Sequence, residues 1–239
     1  LKLYLLQQGN RRMFWSEEKE KKEFKVPDNV VDLVFKLDCK MLPVEHAHSL
    51  SQAIHSVLDW IIDEELAGIH QIHVAESGNG WMRPEDPTNE VLNLSRRTRM
   101  TLRVPKERVE DAKQLSGKTF DIDGYKLTVG DASIKPLSDI TILFSRYVVC
   151  DSVLSEEQFL MEVAEQLQAL DIPVKKMMAG KQHVIRTPDG ELTTRSLMVA
   201  DLEKEHSIIL QQHGIGPCRH LGCGIFLPQK GIKPVKDSS

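Results

Sequence analysis

The chain has 239 residues and a formal net charge of −4, so no overall excess of basic residues points to a nucleic-acid ligand. Its 41% hydrophobic content suits one large or two small globular domains. Four dispersed cysteines, with no signal peptide or 18-residue apolar run, predict reduced thiols and a cytoplasmic protein without membrane association.

The first half of the chain predicts one domain over residues 28–136, preceded by an N-terminal extension at 1–27 whose mixed charge run predicts a solvated helix or a frayed tail. A Ser49/Gln52 capping box marks the start of the first helix, and apolar residues at helical spacing follow it as far as position 61. The predicted elements are a strand at 30–37, this helix, strands at 69–74 and 91–104, a helix at 107–115 and a strand pair at 118–134 turning at Asp123-Gly124. This is the βαββαβ order of a ferredoxin-like domain.

The second half predicts the same order over residues 137–234, after a linker at 136–139. Asp189-Gly190 is a strong hairpin-turn signal between two of its strands. The predicted elements are a strand at 140–149, a helix at 156–170, strands near 174–178 and 183–186, a strand at 191–199, a helix at 201–212 and a final apolar strand at 225–227. The predicted fold class is therefore α+β, with tandem ferredoxin-like (RRM-like) domains.

A glycine-rich loop at 213–228 follows the last predicted helix. Two Gly-x-Gly pairs flank Arg219 and His220; the glycines are Gly214, Gly216, Gly222 and Gly224. Because glycine tolerates positive φ and has no side chain, backbone N–H groups in such a loop can point at a phosphate while the arginine supplies charge. The alternative interpretation is a turn that only permits tight packing.

Residues 194–202 and 221–232 resemble corresponding segments of the CRISPR repeat endoribonucleases of the Cas six family, within the RAMP superfamily. The similarity covers most of 30–232 and is strongest to the subtype associated with myxobacterial-type systems. It implies tandem ferredoxin-like domains and metal-independent cutting of the repeat stem-loop of precursor CRISPR RNA. It also implies that the mature guide RNA stays bound in an effector complex, either an interference complex or a transposon-linked one.

Histidine suits this chemistry because it titrates near neutrality, and His46 and His48 are the favoured catalytic pair. In an extended segment they point the same way, and the positive end of the following helix favours the neutral imidazole that a general base requires. The family often has histidine at the position of Ser51, which leaves the exact residue open. His70 and His73 are the rival pair, with packing roles as the alternative for all four.

The other histidines receive structural or binding roles. His55 is assigned to a solvated helix face, and His220 to a contact with RNA phosphate rather than to proton transfer. Three arginines of the predicted strand at 91–104 form a stripe that could grip an RNA backbone, with a charged outer sheet face as the alternative. The full set of predicted RNA contacts adds the loop and a nearby lysine: Arg97, Arg99, Arg103, Gly214, Gly216, Arg219, His220, Gly222, Gly224 and Lys230.

The leading hypothesis is an endoribonuclease that leaves a 2′,3′-cyclic phosphate and a 5′-hydroxyl and needs no metal or other cofactor. The first alternative is a non-catalytic subunit that binds the RNA end in a CRISPR complex. The second is a metal-dependent hydrolase whose ligands are the four candidate catalytic histidines. Cleavage in the presence of a chelator distinguishes the first two hypotheses, and metal analysis decides the third.

Overall fold

The computed structural model describes residues 24–74 and 90–229. In the first half the strands form a five-stranded antiparallel sheet with the order β3-β5-β1-β7-β6, while β2 and β4 pair separately. The elements are β1 (Val30–Asp38), β2 (Met41–Pro43), α1 (Ala47–His55), β3 (Gly68–Ile69), β4 (Val91–Asn93), β5 (Arg99–Pro105), α2 (Val109–Ala112, flanked by 3₁₀ turns), β6 (Thr119–Ile122) and β7 (Tyr125–Pro136).

The second half forms a four-stranded antiparallel sheet with the order β11-β8-β10-β9. Its elements are β8 (Leu143–Val149), α3 (Glu156–Ala169), β9 (Lys176–Thr187), β10 (Gly190–Ala200), α4 (Lys204–His213), a 3₁₀ turn (Arg219–Leu221) and β11 (Leu227–Pro228). Both sheets, with helices packed on them, make a mixed α/β fold. The Asp189-Gly190 turn joins β9 to β10 as predicted, but the two short strands predicted before it are one continuous strand.

The first helix differs from its prediction at both ends. It begins at Ala47 with His46 as N-cap, and no side chain caps it. Ser49 instead donates a hydrogen bond to Asp123 Oδ1 at 2.6 Å, so the predicted capping box is wrong. The helix ends at His55, and the later apolar residues Leu58 and Ile61 enter the core from a series of turns.

The predicted strand at 91–104 is two strands with different partners. A turn closed by the hydrogen bond from Thr98 N–H to the Ser95 carbonyl separates them. β4 pairs with β2, and β5 pairs with β1, with Met100 opposite Phe35. The turn removes Arg97 from the predicted face of alternating arginines, so that within β5 only Arg99 and Arg103 share a face.

Each half has its own apolar core. Leu33, Phe35 and Ile54 are fully buried in the first, while Leu143, Leu210 and Phe226 are fully buried in the second. The halves meet where α4 and the glycine-rich loop pack beside β3 and β5, which places the loop next to α1. Among the described residues, no helix is long and apolar enough to span a bilayer.

Candidate active site

Three histidines meet where α1 contacts the glycine-rich loop. His48 and His55 are seven residues apart on α1, which is close to two helical turns and puts both on one face. His220 lies in the 3₁₀ turn of the loop, which packs on α1. Burial lowers the pKa of His220, and the charges of His48 and His55 lower it further, in agreement with the packing of this turn on α1. We call these three residues the histidine cluster.

Polar groups beside the histidine cluster lack partners. Ser51 lies on the same side of α1 and is 1% exposed, and its Oγ has no hydrogen-bond partner among the described residues. The Nδ1 atom of His55 is likewise buried and unpaired within the described ranges. Most buried polar groups in proteins are paired, so exceptions that lie side by side mark a place where a ligand can bind.

The glycines let the loop cross itself tightly. Gly214 and Gly224 have φ angles of 67° and 65°, and a Cβ on Gly224 would lie 2.1 Å from the Ile215 carbonyl oxygen. The Gly224 amide donates to the Tyr147 carbonyl at 2.7 Å, which anchors the loop to β8. This crossing brings the turn that carries His220 back against α1.

Most of the glycine amides cannot cradle a phosphate as predicted. The N–H groups of Gly214, Gly222 and Gly224 donate to backbone carbonyls within the protein, so this hypothesis is wrong for all three. Gly216 is exposed, and a side chain there would meet open space. It is therefore the glycine of the loop that lies at the surface.

Arg219 shapes the loop. Its guanidinium donates to the carbonyls of His213 at 2.7 Å, Gln212 at 2.9 Å and Ala67 at 2.9 Å. Burial lowers its pKa to about 10, and the neighbouring charge of Arg103 adds to this effect. Since its donors point into backbone oxygens, the predicted role of Arg219 as an RNA contact is replaced by a role in joining the loop to the segment after α1.

Arg103 is also internal, so its predicted contact with RNA is wrong. It is 0% exposed and forms a bidentate pair with Asp32, at 2.8 and 3.1 Å. Its Nη1 donates across the junction to the carbonyls of Gln211 and Phe226. Burial alone would raise the pKa of Asp32, but the charges of Arg103 and His70 outweigh it and hold that pKa well below its usual range.

The remaining arginines of the predicted stripe are exposed, unlike Arg103. Arg97 is exposed in the turn between β4 and β5. Arg99 is exposed at the start of β5 and donates to the carbonyls of Arg96 and Thr98. Lys230 falls outside the described residues.

The other three catalytic candidates lie outside the histidine cluster. His46 is 1% exposed; its Nδ1 lies 2.8 Å from the Pro43 carbonyl and its Nε2 accepts from the Ile72 N–H, so both ring nitrogens are occupied. Catalysis by His46 is therefore excluded by its contacts. The side chain of His70 is 11% exposed, and its Nε2 lies 3.6 Å from Asp32 Oδ1; His73 is exposed, with its ring 6.0 Å from that of Tyr147.

The four histidines of the metal-hydrolase hypothesis do not form one group. Within residues 24–74 and 90–229, no set of three or more histidine, cysteine, aspartate or glutamate side chains is arranged to hold a metal ion. The first two, His46 and His48, also do not point the same way as predicted, because one caps α1 and the other belongs to its first turn.

Comparisons with known proteins agree with this architecture. A family model described as Cas6 Crispr matches residues 31–231. The CRISPR-associated endonuclease Cas6 of Myxococcus xanthus (strain DK1622) is 30% identical over 198 residues, which cover 83% of this chain and 81% of that protein. The chain belongs to the Cas6 family.

Solved structures share the fold of this Cas6 family member at low sequence identity. A RAMP protein described as binding different RNA substrates superposes with a TM-score of 0.57 and 13% identity, covering 84% of this chain and 100% of that one. A Cas6-related protein from Pyrococcus furiosus gives a TM-score of 0.56 and 14% identity, covering 83% and 98%. These similarities establish the arrangement of the backbone.

The sequence indicates a role for every member of the histidine cluster but does not group them. His55 was assigned to a solvated face although its spacing from His48 places both on one side of a helix. His220 was assigned to phosphate contact because nothing in the sequence shows that the loop folds back onto α1. The seven-residue spacing was the signal that could have found the first pair.

Proposed function

We propose that this protein is a metal-independent endoribonuclease that cleaves the repeat stem-loop of precursor CRISPR RNA at the histidine cluster. The observation that carries the proposal is the convergence of His48, His55 and His220 from α1 and the glycine-rich loop. The naming of the M. xanthus relative as a CRISPR-associated endonuclease supports the same reaction class. The product is mature guide RNA.

The reaction needs one proton acceptor and one proton donor. The 2′-hydroxyl attacks the adjacent phosphorus, forming the 2′-O–P bond while the bond to the 5′-oxygen breaks. A base takes the proton of the 2′-hydroxyl, and an acid gives a proton to the departing 5′-oxygen. The products are a 2′,3′-cyclic phosphate and a 5′-hydroxyl, and two imidazoles in opposite protonation states supply both functions.

His220 is the base and His48 is the acid. Burial and the neighbouring charges lower the pKa of His220, so its imidazole is neutral and able to accept a proton at pH 7. His48 is half-buried on the face of α1 that the loop contacts, and we assign it the role of proton donor. His55 lies about two helical turns further along the same face of α1, and we assign it a hydrogen bond to the phosphate.

A sulfur substitution at the leaving 5′-oxygen tests these roles. A thiolate leaves without protonation, so the acid becomes dispensable while the base does not. We expect the modified RNA to restore cleavage by His48→Ala and not by His220→Ala. Restoration of the His220 variant alone would reverse the two assignments.

The two halves are proposed to be tandem ferredoxin-like domains, residues 28–136 and 137–234, with 1–27 as an extension. The strand orders support this assignment, because β3-β5-β1-β7 and β11-β8-β10-β9 each place the first strand between the third and fourth. The loop at 213–228 belongs to the second domain and completes the site on α1 of the first. A single catalytic site therefore needs both domains.

RNA binding is assigned to groups that remain accessible. Arg97 and Arg99 extend from the β4–β5 turn, and Gly216 lies at the exposed surface of the loop. Lys230 follows the loop in sequence. We expect these groups to contact the stem-loop, and the cleaved guide RNA to remain bound within a CRISPR effector complex, including a transposon-associated one, in the cytoplasm.

The reaction class is tested with cognate repeat RNA in excess EDTA. We expect one cut, with a 2′,3′-cyclic phosphate on the upstream fragment and a 5′-hydroxyl on the downstream fragment. A 3′-hydroxyl with a 5′-phosphate, or a strict need for added metal, would contradict the mechanism. Tight binding without cleavage would favour a non-catalytic RNA-end-binding subunit.

A further inference from the structure

A recess of about 90 Å³ opens beside the glycine-rich loop, separate from the histidine cluster. It lies where the segment after β3 meets β8 and the end of the loop. Its lining combines a cation and an imidazole with apolar and aromatic groups. The lining includes His73, Phe144, Arg146, Tyr147, Gly222 and Leu227.

An irregularity in β8 places two consecutive side chains at this recess. The pairing of β8 with β10 jumps from Val148 opposite Arg195 to Ser145 opposite Leu197, so β8 has one extra residue there. Such a bulge reverses the alternation of side chains and re-aims one of them. Arg146 and Tyr147 are therefore both available to the recess, although they are neighbours in a strand.

Arg146 is the recess's uncommitted positive charge. It is half-buried, and within residues 24–74 and 90–229 its guanidinium makes no hydrogen bond or ion pair. Arg103 and Arg219, by contrast, donate into carbonyl or carboxylate oxygens of the protein. The guanidinium N–H donors of Arg146 can therefore bind an anion such as a phosphate.

The apolar surface beside Arg146 is open to solvent. Leu227 is 41% exposed and pairs directly with Phe144 in the β11–β8 ladder, so the two side chains are adjacent. The exposed His73 ring borders the same recess and leans on Tyr147. Unpaired RNA bases stack on aromatic and apolar side chains of this kind, and a neighbouring cation can bind the RNA phosphate.

We propose that this recess binds one unpaired nucleotide of the RNA, with its phosphate on Arg146 and its base against Phe144, Leu227 and His73. Gly222 lines the recess and lies two residues after His220, so this nucleotide is a close neighbour of the scissile phosphate. This assignment rests on the proposed function and adds to it a point at which the unpaired flank of the stem-loop is recognised.

The volume of the recess selects this occupant over a free metabolite. Pockets that enclose a small-molecule ligand usually measure about 300–1,000 Å³. At about 90 Å³ the recess can seat part of a nucleotide whose remainder stays on the surface. That is the situation of a base within a longer strand, where neighbouring nucleotides supply the remaining binding energy.

The test compares repeat RNAs in which single flanking nucleotides are made abasic, one position at a time. Equilibrium binding is measured for the wild type, Leu227→Ala and Arg146→Ala. We expect one abasic position to weaken wild-type binding by roughly tenfold, the range of one base stacked on a protein surface. The same abasic change should have little further effect on Leu227→Ala, whose apolar surface is already lost.

Arg146→Ala should weaken binding of flanked RNA several-fold more than binding of the bare stem-loop, and Arg146→Lys should recover part of the loss. Lys135 is exposed and lies outside the recess, so Lys135→Ala, which also removes one positive charge, serves as the matched control. If no abasic position shows coupling to Leu227, or Arg146→Ala weakens both RNAs equally, the recess is not a nucleotide site.

These outcomes are separate from those of the proposed function. Cleavage without coupling between any abasic position and Leu227 would overturn only the proposal that the recess binds a nucleotide. Coupling in the absence of cleavage would retain the recess and overturn the catalytic proposal. A wild type that binds neither RNA would overturn both.

Discussion

Replacing Arg103 with alanine should destabilise the junction between the two halves. Arg103 is fully buried and makes two hydrogen bonds to Asp32 and one each to the carbonyls of Gln211 and Phe226. Removing it leaves a buried carboxylate without its main partner. Breaking a buried ion pair by removing one member costs about 3–5 kcal/mol.

For a protein of this size, each kcal/mol lowers the melting temperature by about 2–4 °C, so we expect Arg103→Ala to lower it by about 6–20 °C. Thermal unfolding followed by circular dichroism measures the change. Arg99→Ala is the matched control, because it removes an exposed arginine from the same strand and should cost less than about 0.5 kcal/mol.

The double replacement Asp32→Asn with Arg103→Met should recover part of the loss, since removing both members of a buried pair leaves no uncompensated charge. A melting temperature for Arg103→Ala within 2 °C of that of Arg99→Ala would refute the reasoning. It would mean that the junction is held by its apolar contacts alone.

Further predictions concern the loop and two titrations. Gly224→Ala should unfold the loop, because its Cβ would lie 2.1 Å from the Ile215 carbonyl oxygen. Gly216→Ala would place its Cβ where nothing lies within 4 Å, so it should cost only about 1–2 kcal/mol for its backbone conformation. The melting temperatures of the two variants are compared with that of the wild type. The folded-state pKa of Asp32 lies below its ordinary 3.8, so the stabilisation that ionised Asp32 contributes is present above pH 3.8 and is lost as the pH falls further. Acid unfolding of the wild type and of Asp32→Asn measures this loss. Single-turnover cleavage should rise with pH through a His220 pKa below the ordinary 6.5, and a wild-type profile flat across that range would contradict its role as base.

Elements that depend on local sequence could be predicted. The hairpin at Asp123-Gly124 was correct because its turn chemistry lies within the turn itself, with Ile122 pairing Tyr125 across it. The helix predicted over 156–170 was observed at nearly the same bounds, with its start fixed by a capping box between Ser155 and Gln158. Neither element needs information from distant residues.

Arg103 shows why the predicted arginine stripe failed. A strand pattern assigns arginines to an exposed face because the charge is costly to bury. Here the cost is offset by Asp32, 71 residues earlier, and by the carbonyl of Phe226, 123 residues later. No local pattern indicates partners at such separations.

The site was located only in part for the same reason. The family resemblance pointed to the glycine-rich loop and to the start of α1, but the function of the loop's glycines is to let the chain cross at Gly214 and Gly224 rather than to present their amides. Sequence separates His48 from His220 by most of the chain. Only the folded loop, whose 3₁₀ turn packs on α1, brings the two segments together.

The most direct test of the catalytic histidine cluster is single-turnover cleavage of the cognate repeat RNA in EDTA by wild type, His48→Ala and His220→Ala, with binding measured in parallel. His206→Ala, on α4, is the matched control. We expect each cluster variant to cut at least about 100-fold more slowly while binding within a few-fold of wild type, because each loses one proton-transfer group. Unchanged cleavage by both variants would contradict the assignment of catalysis to this cluster.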